Sequence, residues 1–337
     1  MKTILHEIED QVCTIRLNRP KVFNSFTKEM ALAFQSILKK CEQNPTVRAI
    51  LITGEGKAFC AGQDLQEITD PKGPKLDSIV RDHYNPIVEL IRAIEKPIVC
   101  AVNGVAAGAG ANIALACDIT VAATSSSFIQ AFSKIGLIPD SGGTFFLPRI
   151  IGRQKAAALM MLADKVNAED AEKMGMIYKA IEPDDLMEEA TKVATRLSKM
   201  ATYGLGLTKR ALNASFTNDL KSQLALEGEL QTLAGQSYDY KEGVNAFQFI
   251  TGSDANAYES GIIGNQLSQY TKWDEAGQVV NFIVSKSFGV AVDDTNTIVF
   301  QLQPTDRYRG DFEDGEIYIL INDRVIKKII KNIVLSI

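Results

Sequence analysis

The stretch PIVCAVNGVAAGAGANIALACDI, residues 97–119, decides the reading of this chain. Its first third is apolar and β-branched, bounded by Pro97 and Asn103–Gly104, which predicts a buried strand. Its last third is apolar at helix length. Between them lies a run of glycine and alanine in which Gly108, Ala109 and Gly110 leave nothing larger than a methyl group beside the backbone. Such a turn can cradle a phosphate, hold an oxyanion, or let two elements pack closely. It fails as a dinucleotide fingerprint: Gly108 and Gly110 supply G-x-G, but Ile113 stands where the third glycine belongs.

Working outward, the strand–helix alternation continues on both sides. QVCTIRLNRP (11–20) predicts a strand stopped by a turn, and VRAILITG (47–54) a buried one. SFTKEMALAFQSILKKCEQN (25–44) spaces Met30, Phe34, Ile37 and Leu38 for a helix, with Thr27 as its cap. A further helix over 78–96 is interrupted or begun near Pro86, and strands follow in ITVAAT (119–124) and SFIQAF (127–132). After Gly152 the patterns are helical through 201. This order predicts an α/β fold with a helical layer behind it. Near residue 248 the texture changes and helical periodicity is lost. Residues 277–292, 296–304 and 315–323 then look β-rich, and 324–337 suits helix or strand.

The bulk numbers limit the function classes. The 337 residues are 46% hydrophobic with a net charge of −5, so a large core is available and no basic stripe invites nucleic acid. No apolar run reaches the ~18 residues of a membrane span. Five separated cysteines without a CxxC pair fit buried thiols in a reducing cytoplasm. Two histidines, His6 and His83, argue against a His-built metal centre or a Ser-His-Asp hydrolase, so no metal is expected. His83 reads as a partly exposed helix residue, and Met160, Met161 and Leu162 as core.

Two further stretches carry chemistry. In GKAFCAGQDLQEI (56–68) a strand meets a helix at Ala61–Gly62, where unpaired N–H groups favour a negative oxygen; an ordinary strand-to-helix connection reads the same way. In KIGLIPDSGGTFFLPR (134–149) Asp140 sits in what is also a common turn. Phe132, Ile135, Leu137, Ile138, Phe145 and Phe146 around it would desolvate the carboxylate and raise its pKa toward that of a general base.

The order KAFCAGQDL, KPIVCAVNGVAAGAGANIALACDI, FSKIGLIPDSGGTFFLPRIIG and AEDAEKMGMIYKAI resembles the enoyl-CoA hydratase/isomerase (crotonase) superfamily over residues 1–247. GLIPDSGGT, TYGLGLTKRALN and LAGQSYDYKEGVNAF are most similar to its branch of ring-epoxide isomerases of phenylacetate catabolism. The resemblance implies a ββα-superhelix core in an acyl-CoA isomerase domain over 1–250, followed by a β-rich segment of unknown fold and function over 251–337. It implies backbone N–H donors at Gln63 and Ala109 for a thioester oxyanion, with Asp140 catalytic. It places coenzyme A, as part of the substrate and with no separate cofactor, along Lys21, Val22, Asn24, Ala58, Ala61, Gly62, Asp64, Leu65, Gly108 and Gly110. A cytoplasmic homotrimer or hexamer is implied as well.

The departures are as informative. The two glutamates with which hydratases of the family activate water correspond to Asn112 and Phe132, neither able to move a proton. One carboxylate remains, which suits isomerisation: ring-1,2-epoxyphenylacetyl-CoA to the oxepin thioester, with a 3-enoyl to 2-enoyl shift as a second activity. An enoyl-CoA hydratase using Asp140 is the enzymatic alternative. A non-catalytic acyl-CoA-binding scaffold, with 251–337 as its partner contact, is the alternative of another class. The likeness ends at QFITGSDANAY (248–258), which lacks the basic residues that relatives carry near the CoA. Weakened CoA binding is the expectation from that loss.

Overall fold

The computed structural model describes residues 2–251, 268–273, 279–284, 315–321 and 324–330. They fall into two compact units, 1–237 and 238–337.

The first unit is built on two sheets. One contains β1 (Ile4–Glu9), β2 (Val12–Leu17), β3 (Ala49–Gly54), β5 (Ile98–Val102), β7 (Ile119–Ala123) and β10 (Lys179–Ile181) in that spatial order, parallel from β2 onward. The other contains β4 (Ala58–Cys60), β6 (Val105–Ala107), β8 (Ser127–Ile129) and β9 (Lys165–Asn167). Successive strands alternate between the sheets: β3 then β4, β5 then β6, β7 then β8. Helices Leu65–Thr69 and Asn85–Ala93 follow the first pair, and Ala109–Ala116 follows the second. This is the ββα superhelix of a crotonase-like α/β fold.

Period-2 alternation explains why the central strands are apolar throughout. Cys13, Ile15, Ile50, Ile52, Ile98, Cys100 and Val102 face one core with Phe34 and Leu38 of the Lys28–Gln43 helix. Val12, Leu51, Val99, Ala101 and Val121 face another, covered by Leu186, Ala190 and Ala194 of the Leu186–Ser198 helix. Each large side chain so buried stabilises by roughly 1.5–3 kcal/mol. Thr27 caps the Lys28–Gln43 helix by accepting from the Met30 N–H. All five cysteines are free and buried.

Residues 79–96 show how the sequence shapes a detail. Pro86 has no N–H to offer the Asp82 carbonyl, and the chain takes a π-helical turn over Ile79–Tyr84 before the Asn85–Ala93 helix. The Gln35 side-chain amide donates instead to the carbonyls of Asp82 (2.8 Å) and His83 (3.0 Å).

Several expectations are corrected. His83 is buried by the π turn, at 2% exposure. Met161 and Leu162 are exposed, and only Met160 of that trio packs on the core. A strand that the sequence reading did not assign, β1, precedes β2, and their hairpin closes on Asp10 and Gln11, both at positive φ (47° and 67°). Helix does not stop near 248 but spans Tyr238–Thr251. Beyond it, Ser268–Trp273 pairs with Val279–Val284, and Gly315–Ile321 with Arg324–Ile330, both antiparallel. Residues 324–330 are therefore strand, while the stretch 296–304 lies outside the described residues.

Candidate functional site

Two turns come together because their strands are neighbours. β4 and β6 pair in parallel, so both chains leave the sheet side by side, one at Ala61–Gly62 and the other at Gly108. The contact is backbone to backbone. A Cβ on Gly62, whose φ is +89°, would stand 2.9 Å from the Ala107 carbonyl oxygen and 3.6 Å from the Ala109 nitrogen. A Cβ on Gly110 would run into the Cys60 carbonyl and come within 2.7 Å of the Cys60 Cβ. Glycine is required at both places by space, and at Gly62 also by conformation.

The amides flanking the first turn are spent in holding it. Phe26 N–H donates to Gly62 O (2.7 Å), Asp64 N–H to Phe26 O (2.9 Å) and Ala61 N–H to Phe23 O (2.9 Å). The N–H groups of Gln63 and Ala109 have no acceptor among the described residues. Ala109 opens its helix, so the positive end of that helix adds to the field there. Two free N–H groups on abutting turns are the kind of donors that can serve a negative oxygen.

Asp140 lies over the same helix. Its carbonyl accepts from Gly143 N–H (2.8 Å) and from Asn112 Nδ2 (2.8 Å), and Asn112 is on the first turn of the helix that Ala109 begins. Its carboxylate Oδ1 accepts from the Ser141 hydroxyl (2.8 Å). Burial pushes the Asp140 carboxyl above its ordinary value, and the Ser141 bond pulls partly back. The expected shielding set is narrower than the sequence suggested. Phe132 and Phe146 are buried, but Ile135 and Ile138 are exposed, the latter at 81%.

Tyr84 backs the first turn and was not foreseen; the break at Pro86 was the only signal near it. Its hydroxyl donates to Gln63 Oε1 (2.8 Å), and Gln63 Nε2 donates on to Glu67 (2.8 Å). Burial drives the phenol pKa well up, and the nearby Cys60 and Asp140 add to this, so the phenol is neutral.

The residues expected along coenzyme A divide into framework and free surface. Asn24 is fully buried, accepting from Arg19 N–H (2.8 Å) and donating to Ala58 O (2.8 Å) and Glu55 O (2.9 Å). Asp64 caps Gln66 N–H (2.9 Å) and pairs with Arg19 (2.8 Å), a partner the sequence reading missed. Both side chains hold the turn rather than face a ligand. Lys21, Ala61 and Leu65 are exposed and Val22 is half-buried beside them. Gly108 (φ +53°) starts the Ala109 helix against Phe132. Among the described residues no cluster of three or more His, Cys, Asp or Glu could hold a metal ion, and no helix is long and apolar enough to cross a membrane.

A family model described as enoyl-CoA hydratase/isomerase matches residues 7–249. The 1,2-epoxyphenylacetyl-CoA isomerase of Escherichia coli is 48% identical over 250 residues, which are 73% of this chain and 95% of that protein. A Rhodobacter capsulatus protein that carries an enoyl-CoA hydratase name is 41% identical over 245 residues, 73% of this chain and 94% of its own. Among solved structures, an enoyl-CoA hydratase from Polaromonas sp. JS666 superposes with a TM-score of 0.68 at 32% identity, covering 73% of this chain and 96% of that one.

Proposed function

The chain belongs to the enoyl-CoA hydratase/isomerase family, and from that premise we propose that it is an acyl-CoA isomerase working with one carboxylate. The observation that carries this is Asp140, a desolvated carboxylate whose turn is bonded through Asn112 to the helix that the free Ala109 N–H opens, with Asn112 and Phe132 where a hydratase pair would stand. In this reading Asp140 removes the proton α to the thioester carbonyl. The C–H electron pair moves into the Cα–C1 bond, and the carbonyl pair moves onto oxygen, where the N–H groups of Gln63 and Ala109 receive it. Collapse of the enolate then takes the same proton from Asp140 at a conjugated carbon. The formula of the substrate is unchanged and no water is consumed.

The substrate that fits the 48%-identical relative is the ring-1,2-epoxide of phenylacetyl-CoA, converted to the oxepin thioester. A 3-enoyl to 2-enoyl shift uses the same groups. Coenzyme A enters as part of the substrate, over the exposed surface of Lys21, Val22, Ala61 and Leu65. The resemblance to the family suggests a homo-oligomer, trimer or hexamer, and the buried free thiols suit the cytoplasm.

The test follows absorbance as 3-cis-enoyl-CoA becomes the conjugated 2-trans thioester. Asp140→Asn is expected to lower kcat about 10²–10⁴-fold, the usual worth of a general base. Because the carboxylate must be ionised to act, wild-type kcat should rise with pH through the elevated Asp140 pKa. Net water addition to crotonyl-CoA at a comparable rate would favour the hydratase reading instead. Thioester binding without turnover would favour the scaffold.

A further inference from the structure

Asp140 is carried on a turn that its own sequence does not favour. The turn closes from Asp140 O to Gly143 N–H, with Ser141 at φ +51° and Gly142 at φ +75°. Gly142 accepts that conformation freely, whereas Ser141 carries a Cβ and does not. Such strain persists only where the surroundings over-determine it. The bond from Asn112 Nδ2 to the Asp140 carbonyl is one such external restraint, and it is a side-chain grip from another element.

Its orientation is fixed by chemistry. A carbonyl can only accept, so the nitrogen of Asn112 must face Asp140 and its oxygen must face the other way. There Oδ1 accepts from Gln130 Nε2 (2.8 Å), which in turn sets the orientation of Gln130. Asn112 and Gln130 are 1% and 3% exposed. Gln130 Oε1 is left buried without a partner among the described residues, which a residue placed only for stability would avoid. Gly143 makes room for the clamp, since a Cβ there would collide with the Asn112 amide.

Given the reading of Asp140 as base, we infer that Asn112, backed by Gln130, is a positioning residue that holds the strained Asp140–Gly143 turn and so aims the catalytic carboxylate. Both polar ends of the Asn112 amide are spent within the protein. The position thus supports the base indirectly instead of binding water. Among the described residues the Tyr84 phenol is a titratable group in electrostatic reach of Asp140, and burial holds both it and the neighbouring Cys60 thiol, pushed up to about 12, in neutral form. No lysine or arginine pairs with Asp140 among the described residues.

The experiment compares wild type with Asn112→Leu, Gln130→Leu and Asp140→Asn in the enoyl-CoA isomerisation assay over a pH series. Asn112→Leu is expected to lower kcat by roughly 10–100-fold with KM within about twofold, as for a misaimed group at an intact binding site. The acid limb of its pH profile should move down, because a relaxed turn lets water reach the carboxylate. Gln130→Leu removes the orphan oxygen with the clamp's backing. It should therefore keep its melting temperature while losing several-fold in kcat, and it decides the matter if Asn112→Leu does not fold. Unchanged kcat and pH limb in the folded variants, with Asp140→Asn inactive, would overturn the clamp alone. Full activity in Asp140→Asn would instead overturn the base, and the clamp with it.

Discussion

Tyr84 shows how much one hydroxyl does here. It is fully buried beside Phe26, whose ring meets it edge-on at 5.8 Å, and its hydroxyl donates to the side chain of Gln63. Tyr84→Phe keeps the packing and removes that bond, so the Gln63 N–H loses a restraint without losing its place. A fall in kcat of about 5–10-fold is expected, corresponding to the ~1 kcal/mol of an ordinary hydrogen bond, with KM nearly unchanged. Asp140 supplies a second prediction at this scale. Its folded pKa lies above the ordinary carboxylate value of about 3.9, so in the pH interval between the unfolded and folded values the native state holds a proton that the unfolded chain has released. The resulting stability is present at low pH and is lost as pH rises through the folded pKa. Asp140→Asn carries no such loss. It should melt higher than wild type at pH 7, and the difference should vanish below about pH 3.9.

Among the elements, the pairing of β4 with β6 matters most, because it sets two turns against each other with only glycine between them. Gly110→Ala would force the Ala109 helix away from Cys60 and separate the two N–H groups. Misplacing one such donor costs about 10²–10³ in kcat, so a comparable loss is expected in the isomerisation assay, with a lowered melting temperature. These turns were legible in the sequence because their requirement is local: small residues where backbones touch. The caps at Thr27 and the apolar periodicity of the Lys28–Gln43 helix were legible for the same reason. Tyr84, Arg19 and Gln130 were not. Each acts through a partner distant in the chain, 21 residues away for Tyr84 and Gln63, and no spacing rule announces it. Asn24 and Asp64 show the same long reach, their side chains spent on Ala58 O and on Arg19 in holding the turn.

At the scale of the molecule, the two units raise separate questions. The match to the family model ends at 249, and the Escherichia coli relative is covered to 95% by the matching 250 residues. A chain ending at Thr251 is therefore expected to retain isomerase activity and CoA-thioester affinity within about twofold, a change of no more than ~0.4 kcal/mol. A loss of affinity beyond tenfold, measured by titration calorimetry with a non-reactive acyl-CoA, would assign the later residues a part in binding. The α/β order of the first unit was readable because alternating elements leave a periodic trace. Of the paired strands, Val279–Val284, Gly315–Ile321 and Arg324–Ile330 were partly readable through β-branched runs, but a short strand such as Ser268–Trp273, rich in polar residues, leaves none.

The free N–H groups of Gln63 and Ala109 have a practical corollary for anyone mapping this enzyme by mutation. Genetic substitution exchanges side chains and leaves the peptide nitrogen in place, and residue 109 is alanine already. On the proposed mechanism an alanine scan would register Asp140 and pass over both donors in silence. Proline at either place would delete the N–H but also fix φ, so a chemical edit of the main chain, an ester in place of the amide, is the clean way to count them.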